Sequence, residues 1–110
     1  MPTIYKICPA ALGREAERSG VFRGSAHDIR GGFIHFSTAE QLAETAAKHF
    51  AGQRDLVLVR VDAERLGERL KWEPARGGAL FPHLYGDLAV AAVSGVDPLP
   101  RGPDGKHRFP

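Results

Sequence analysis

The sequence predicts a single compact domain that mixes α-helices and β-strands. Its 110 residues, 43% of them hydrophobic, can build one substantial core but are too few for two. Short runs of β-branched and aliphatic residues, bounded by proline, glycine or aspartate, alternate with segments in which apolar residues recur at helical spacing. The longest apolar runs span only a few residues and no repeat is visible, so we expect neither a membrane span nor a repeat architecture.

Three segments have the composition of regular strands. Residues 4–8 form a short β-rich run between two prolines. Residues 56–61 are almost continuously apolar and β-branched, as expected for a central strand covered on both faces. Residues 88–96 are rich in valine and alanine and form the predicted last strand, and residues 70–73 form an extended segment before it.

Two segments are predicted helices, and a loop lies between them. Residues 10–19 show amphipathic spacing and end at Gly20, and residues 38–50 carry the most regular helical pattern in the chain. Residues 21–32 are rich in glycine, serine, aspartate and histidine and are predicted to form a loop, whose first two residues can pair as an edge strand. Loops beside a rigid strand often carry binding groups. The candidates of second rank in this loop are Arg23, Ser25, His27 and Asp28.

The stretch from residue 31 to residue 41 is the strongest candidate for one wall of a ligand site. Side chains alternate along a strand, so Phe33, His35 and Ser37 share one face. Ser37 or Thr38 then stands where a helix N-cap is expected, with Glu40 or Gln41 three residues later, as in a capping box. A helix N-terminus beside an imidazole and a hydroxyl favours an anionic ligand group.

A second wall is predicted from residues 79–86. If this segment is extended, Phe81, His83 and Tyr85 share one face, and Pro82 is expected to confine it to a sheet edge because proline cannot donate to a ladder. Two charged residues precede the segment. Glu73 can stabilise a developing ribosyl cation, and Arg76 can offer a bidentate fork to phosphate.

Charge and composition disfavour several other functions. The last ten residues carry three basic side chains and one acidic one, which accounts for the whole net charge of +2, so the body lacks the basic face of a nucleic-acid-binding domain. The histidines show no zinc-site spacing, and a single cysteine, Cys8, allows no internal disulfide, so we expect no metal and a cytoplasmic protein. Ser37 lacks the elbow motif of serine hydrolases. No oligomeric state is indicated.

The motifs at residues 33–38 (FIHFST) and 81–86 (FPHLYG) resemble those of a family of small bacterial proteins, domain of unknown function 952, over about residues 3–97. That family is grouped by fold with ADP-ribosyltransferases and RNA 2′-phosphotransferases. The resemblance implies an α+β fold in which two small antiparallel sheets and two helices form a split-sheet cleft. We therefore expect one domain at residues 1–98, and the Gly/Pro-rich composition of residues 99–110 predicts a flexible basic tail.

The resemblance implies a cleft for NAD or a related ADP-ribosyl nucleotide. His35 and Ser37 are similar to the residues that line the NAD site of the phosphotransferases, whereas Lys6 stands where such enzymes usually have histidine or arginine. Glu73 corresponds to the catalytic glutamate of many transferases. The residues expected to bind the nucleotide are Lys6, His35, Ser37, Thr38, Arg76, Phe81, His83 and Tyr85, with Glu73 and His35 catalytic. A binding module without catalysis, and hydrolase or transferase chemistry built on His83, remain the alternatives.

Overall fold

A computed structural model describes residues 2–110, with the side chain of Arg76 left out. The strands are β1 (Thr3–Pro9), β2 (Val21–Phe22), β3 (Ile34–His35), β4 (Leu56–Asp62), β5 (Leu70–Pro74), β6 (Leu80–Leu84), β7 (Leu88–Ala89) and β8 (Val93–Pro98). The α-helices are α1 (Ala10–Ser19), α2 (Ala26–Gly31) and α3 (Leu42–His49), and 3-10 helices connect several of the strands. The predicted α+β class is confirmed.

Two antiparallel three-stranded sheets form the framework of the domain. One has the order β1-β4-β8, so the apolar strand predicted to be central does lie in the middle. The other has the order β3-β6-β5, and β2 pairs with β7 in a separate two-stranded ladder. The aliphatic strand β4 therefore contributes to both apolar clusters of the core, with Val61 fully buried in one and Leu58 in the other.

The two larger sheets are joined through Tyr5 and Ser37. Their backbones exchange two hydrogen bonds, Tyr5 N to Ser37 O at 2.8 Å and Ser37 N to Tyr5 O at 2.9 Å. Upstream of this bridge, Ile34 and His35 pair with β6. The chain from residue 34 to residue 37 thus passes from one sheet to the other, and this places His35 and Ser37 at the junction.

The prediction about Pro82 was wrong, because β6 lies between two other strands. Pro82 pairs with Trp72 on β5, and its carbonyl accepts a hydrogen bond from Phe36 N at 3.0 Å. It has no N–H to donate in return, and the regular pairing of β3 with β6 stops at His35. The proline is tolerated in the middle strand because the neighbouring strand β3 is only two residues long.

The prediction of only two helices was also wrong, since residues 26–31 form α2 inside the predicted loop. Ser25 caps this helix reciprocally with Asp28: Ser25 N donates to Asp28 Oδ2 at 2.9 Å, and Asp28 N donates to the Ser25 hydroxyl at 3.4 Å. Gly32 ends it in the left-handed conformation with φ of 83°. A six-residue helix is too short for hydrophobic periodicity to reveal, which is why the composition indicated a loop.

The helix predicted at residues 38–50 consists of a 3-10 turn, Ala39–Gln41, followed by α3. Of the two predicted caps, Thr38 is the one used. It forms a capping box with Gln41, and Thr38 N donates to Gln41 Oε1 at 3.0 Å. The cap begins this helix one residue after Ser37, so α3 covers the junction between the sheets.

Residues 99–108 contact the domain at several points. Leu99 is buried in the core, Arg101 Nη1 donates to the Gly52 carbonyl at 3.0 Å, and the His107 ring contacts the Gln53 carbonyl at 2.9 Å. The mobility expected for this segment stays a prediction. None of the helices formed by the described residues is long and apolar enough to span a bilayer.

Candidate functional site

An open cleft of about 820 Å³ lies at the junction of the two sheets. It is bordered by side chains from β1, α2, β3, α3 and β6, and its walls are more apolar than polar. The polar and aromatic side chains at the cleft include those of Lys6, His27, Arg30, His35, Ser37, Thr45, His49, Phe81 and His83. Four of the five histidines of the chain border this one cleft.

Asp28 holds His35 in place. The carboxylate Oδ1 lies 2.8 Å from His35 Nδ1 and 3.0 Å from His35 N, and it also accepts from Lys6 Nζ at 2.8 Å. Because a carboxylate only accepts, the His35 Nδ1 carries the proton and Nε2 is left as the basic nitrogen. Asp28 thus ties α2, β1 and β3 together around one imidazole.

The Asp28–Lys6 pair is removed from solvent, with Asp28 2% and Lys6 5% exposed. Burial alone would raise the pKa of Asp28, but the hydrogen bond from His35 and the charge of Lys6 outweigh it, so the pKa lies well below its usual range. Burial lowers the pKa of Lys6, and the Asp28 carboxylate opposes that change. The Asp28 carboxylate neutralises the Lys6 ammonium, so Lys6 does not present a free cation to the cleft.

Glu73 holds His83 in a second pair of the same kind. Its Oε1 lies 2.8 Å from His83 Nδ1 and accepts from the Tyr85 hydroxyl at 2.7 Å. These two hydrogen bonds, the one from Tyr85 first, lower the pKa of Glu73, while the bond to Glu73 raises the pKa of Tyr85. The Glu73 side chain is 38% exposed and that of His83 only 8%, so the carboxylate stands on the outer side of the imidazole.

The two imidazoles are neighbours on the adjacent strands β3 and β6 of one sheet. His35 and His83 are direct partners in the register, and their ring centroids are 5.6 Å apart in an edge-to-face arrangement. Phe33 stacks on His83 at 4.0 Å and contacts Tyr85 at 5.2 Å. Phe33 therefore covers one face of the His83 ring, while both oriented imidazoles border the cleft.

The remaining histidines extend this row toward α3. The ring of His27 lies 4.2 Å from that of His35 and 5.5 Å from that of His49. Burial lowers the pKa of His27, and the charges of His35 and His49 lower it further. These effects favour the neutral form of the His27 imidazole.

The other predicted site residues fall into three groups. Ser37 borders the cleft, and its hydroxyl lies 2.9 Å from that of Thr45, while Phe81 and Lys6 also border it. Among the described residues, Thr38, Glu73 and Tyr85 are not part of the cleft surface. The prediction for the Arg76 guanidinium lies outside the described residues. Cys8 is buried, and burial raises the pKa of its thiol to about 11, which is typical of an inert thiol.

Two cleft residues, Arg30 and His49, were missed, and two further residues were underrated: His27, which borders the cleft, and Asp28, which is buried behind it. Arg30 and His49 received no functional role, and His27 and Asp28 were only candidates of second rank. The spacing of Ser25 and Asp28 is a capping-box signature and could have revealed α2, which carries three of the four. Nothing in the sequence indicates that α3 brings His49 to the same cleft. The described residues contain no group of three or more side chains suited to hold a metal ion.

Comparisons with known proteins place the chain in a family. The model of the family described as "Protein of unknown function (DUF952)" matches residues 7–96, so the chain belongs to this family. The crystal structure of protein CC0527 from Caulobacter crescentus is 52% identical, covers 96% of this chain and 93% of that one, and has a TM-score of 0.93. The solution structure of CC0527 is 53% identical, with 96% and 91% coverage and a TM-score of 0.86. No curated protein matches the chain.

Proposed function

We propose that the cleft binds a small nucleotide of the ADP-ribosyl class, such as NAD or ADP-ribose. The observation that carries this proposal is the convergence of His35 and His83, 5.6 Å apart, on one open cleft. A volume of about 820 Å³ is within the range of small-molecule sites, which are mostly apolar with a few placed polar groups. Two sheets joined at Tyr5 and Ser37 also agree with the split-sheet arrangement that the resemblance to ADP-ribosyltransferases implies.

Each end of the ligand is assigned to a different part of the cleft. His35 and Ser37 hold the ribose or nicotinamide end, and Phe81 and His83 contact the ligand from the neighbouring strand β6. The phosphates lie toward Arg76, as the sequence predicts, and toward Arg30, which is exposed at the cleft. Lys6 acts through its ion pair with Asp28 rather than as a free phosphate ligand.

Calorimetric titration of the purified protein with NAD, ADP-ribose and AMP tests this proposal. We expect saturable binding of at least one nucleotide, weakened about tenfold or more by His35→Ala or His83→Ala, because each removes a polar group placed for the ligand. The matched control is His107→Ala, since His107 contacts the Gln53 backbone and does not border the cleft. No binding of any of the three nucleotides at millimolar concentration would overturn the proposal.

A binding module without ADP-ribosyl transfer is the second candidate. It is favoured by the position of Glu73, whose Oε1 already accepts from His83 and Tyr85 and which does not border the cleft among the described residues. In the transferase alternative this carboxylate stabilises the cation formed as nicotinamide leaves. Chromatographic measurement of nicotinamide released from NAD separates the two: release that Glu73→Gln abolishes supports transfer, and bound NAD recovered intact supports the binding module.

A further inference from the structure

The two neighbouring histidines of the cleft, His35 and His83, are each oriented by a carboxylate. Asp28 Oδ1 lies 2.8 Å from His35 Nδ1, and Glu73 Oε1 lies 2.8 Å from His83 Nδ1. A carboxylate at Nδ1 fixes the tautomer, leaves Nε2 to exchange protons with a ligand, and stabilises the imidazolium when it forms. We call each histidine with its carboxylate a dyad: His35 with Asp28, and His83 with Glu73. Binding a nucleotide does not require two such dyads at one site.

Paired imidazoles suit a reaction in which one proton is removed and another is delivered at the same centre. The ring centroids are 5.6 Å apart, and both rings border the cleft. A tetrahedral group held between two Nε2 atoms can accept a hydrogen bond from one while its attacking group donates to the other. One imidazole then acts as general base and the other as general acid.

The other side chains of the cleft favour phosphorus as the reacting centre. An acyl transfer of the usual type needs an activated nucleophile, but Ser37 is only 4% exposed, its hydroxyl lies 2.9 Å from that of Thr45, and Cys8 is buried. Arg30 at the cleft supplies a guanidinium, which is suited to phosphate oxygens. Hydrolysis of a phosphodiester by water needs no protein nucleophile, only the base and the acid.

We propose that the His35 and His83 dyads hydrolyse a phosphodiester of a bound nucleotide. The imidazole with an unprotonated Nε2 takes a proton from a water molecule as the water oxygen bonds to phosphorus. The P–O bond to the leaving oxygen breaks, and that oxygen takes a proton from Nε2–H of the other imidazole. The products are a phosphomonoester and an alcohol, and the imidazoles return to their starting states when the proton passes between them through solvent. This step rests on the proposed function, because it needs the cleft to take a nucleotide.

Two substrates with different leaving groups test the proposal and assign the two roles. Adenosine 2′,3′-cyclic phosphate expels an alkoxide that must be protonated, whereas thymidine 5′-(p-nitrophenyl phosphate) expels a phenolate that needs no acid. We expect His35→Ala and His83→Ala to slow the cyclic substrate about 100-fold or more, the lower end of the range for general acid–base catalysis. The variant that lacks the general acid should lose much less activity on the nitrophenyl substrate than on the cyclic one. The variant that lacks the general base should lose activity by a similar factor on both substrates.

Glu73→Gln tests the carboxylate of the more exposed dyad without removing a buried group. We expect its rate to fall between wild type and His83→Ala, with an altered pH profile, because the amide can no longer compensate an imidazolium at His83. Asp97→Asn is the matched control, since it makes the same carboxylate-to-amide change in the Arg60 ion pair, away from the cleft. Thermal melts of each variant confirm that the fold is kept.

The outcomes separate this proposal from nucleotide binding. Hydrolysis that follows a bell-shaped pH profile and loses one limb in each histidine variant supports the dyads. If a nucleotide binds by calorimetry but the cyclic and nitrophenyl phosphodiesters are both recovered intact, the hydrolysis is overturned and the binding proposal stands. Turnover that survives both histidine substitutions overturns the dyads as its source. Hydrolysis dependent on both histidines, with no binding of NAD, ADP-ribose or AMP, supports the dyads and overturns the ADP-ribosyl ligand.

Discussion

The two histidine–carboxylate pairs have the same contact distance but opposite surroundings. The His35–Asp28 and His83–Glu73 contacts are both 2.8 Å, yet the Asp28 side chain is 1% exposed and that of Glu73 is 38% exposed. Asp28 also forms an ion pair with the buried Lys6 and takes part in the capping box of α2. The other hydrogen bond that Glu73 accepts comes from the exposed Tyr85. The comparison indicates that one pair is part of the framework and the other can change with little effect on folding.

The largest effect is expected from Asp28→Asn. The substitution removes the partner of Lys6 and leaves its ammonium buried without a compensating charge, which typically costs about 3–5 kcal/mol in the free energy of unfolding. Urea denaturation measures this cost. A loss below about 1 kcal/mol, typical of exposed ion pairs, would contradict the framework role of Asp28.

Adding Lys6→Met to Asp28→Asn completes a double-mutant cycle. We expect the double variant to be more stable than Asp28→Asn alone, because methionine restores an apolar side chain of similar length where an unpaired ammonium stood. Additive losses from the two substitutions would show that the pair does not act as a unit.

A smaller effect is expected from Gly31→Ala, which probes how firmly the His35 ring is held. A Cβ at Gly31 would lie 2.9 Å from His35 Cε1, and the ring cannot move aside without breaking its contact with Asp28. We expect the free energy of unfolding to fall by about 1–3 kcal/mol, as in overpacked cores, and nucleotide binding to weaken. The control is Gly13→Ala in α1, where the new Cβ meets Val57 at an ordinary 3.6 Å and helix propensity favours alanine. Equal melting temperatures for the two variants would contradict a fixed ring.

The pH dependence of stability should separate the pairs further. The pKa of Asp28 is depressed in the folded state, so its stabilisation is present above the unfolded-state pKa of about 3.9 and is lost as the pH falls below it toward the folded-state pKa. One carboxylate contributes at most about 1.4 kcal/mol per pH unit in this window. Unfolding free energies between about pH 2 and 5 should therefore fall less steeply in Asp28→Asn than in wild type. Identical slopes would contradict the assignment.

The smallest effect on folding is expected from Glu73→Gln. The pKa of Glu73 is also depressed, first by Tyr85 and then by His83, but the carboxylate is open to solvent and salt weakens its interactions. We expect no measurable change in the urea midpoint, while the His83 ring NMR signals shift because Nδ1 loses its anionic partner. A large loss of stability would show that the two pairs do not differ as described.

Local patterns predicted much of the fold. Strand β4 follows from its continuous β-branched run, α1 from amphipathic spacing up to Gly20, and the start of the third helix from the Thr38 cap. Each of these signals lies within about ten residues, so a linear sequence contains it. The position of Pro82 was misjudged because its effect depends on the length of the neighbouring strand.

The site was harder to predict because its contacts are distant in sequence. Lys6 and Asp28 are 22 residues apart, and His83 and Glu73 are ten apart on different strands. The alternation in residues 33–38 and 81–86 did place His35 and His83 on candidate walls. It could not show that both imidazoles are held by carboxylates, since hydrophobic periodicity carries no information about which polar side chains meet.

The most direct test of the account is an NMR titration of the histidine ring signals with ADP-ribose. We expect the signals of His35 and His83 to shift together and saturate at the same ligand concentration, while those of His107, outside the cleft, stay in place. If ADP-ribose leaves the His35 and His83 signals unchanged, or moves only one of them, the two imidazoles do not form one ligand site and the account is wrong.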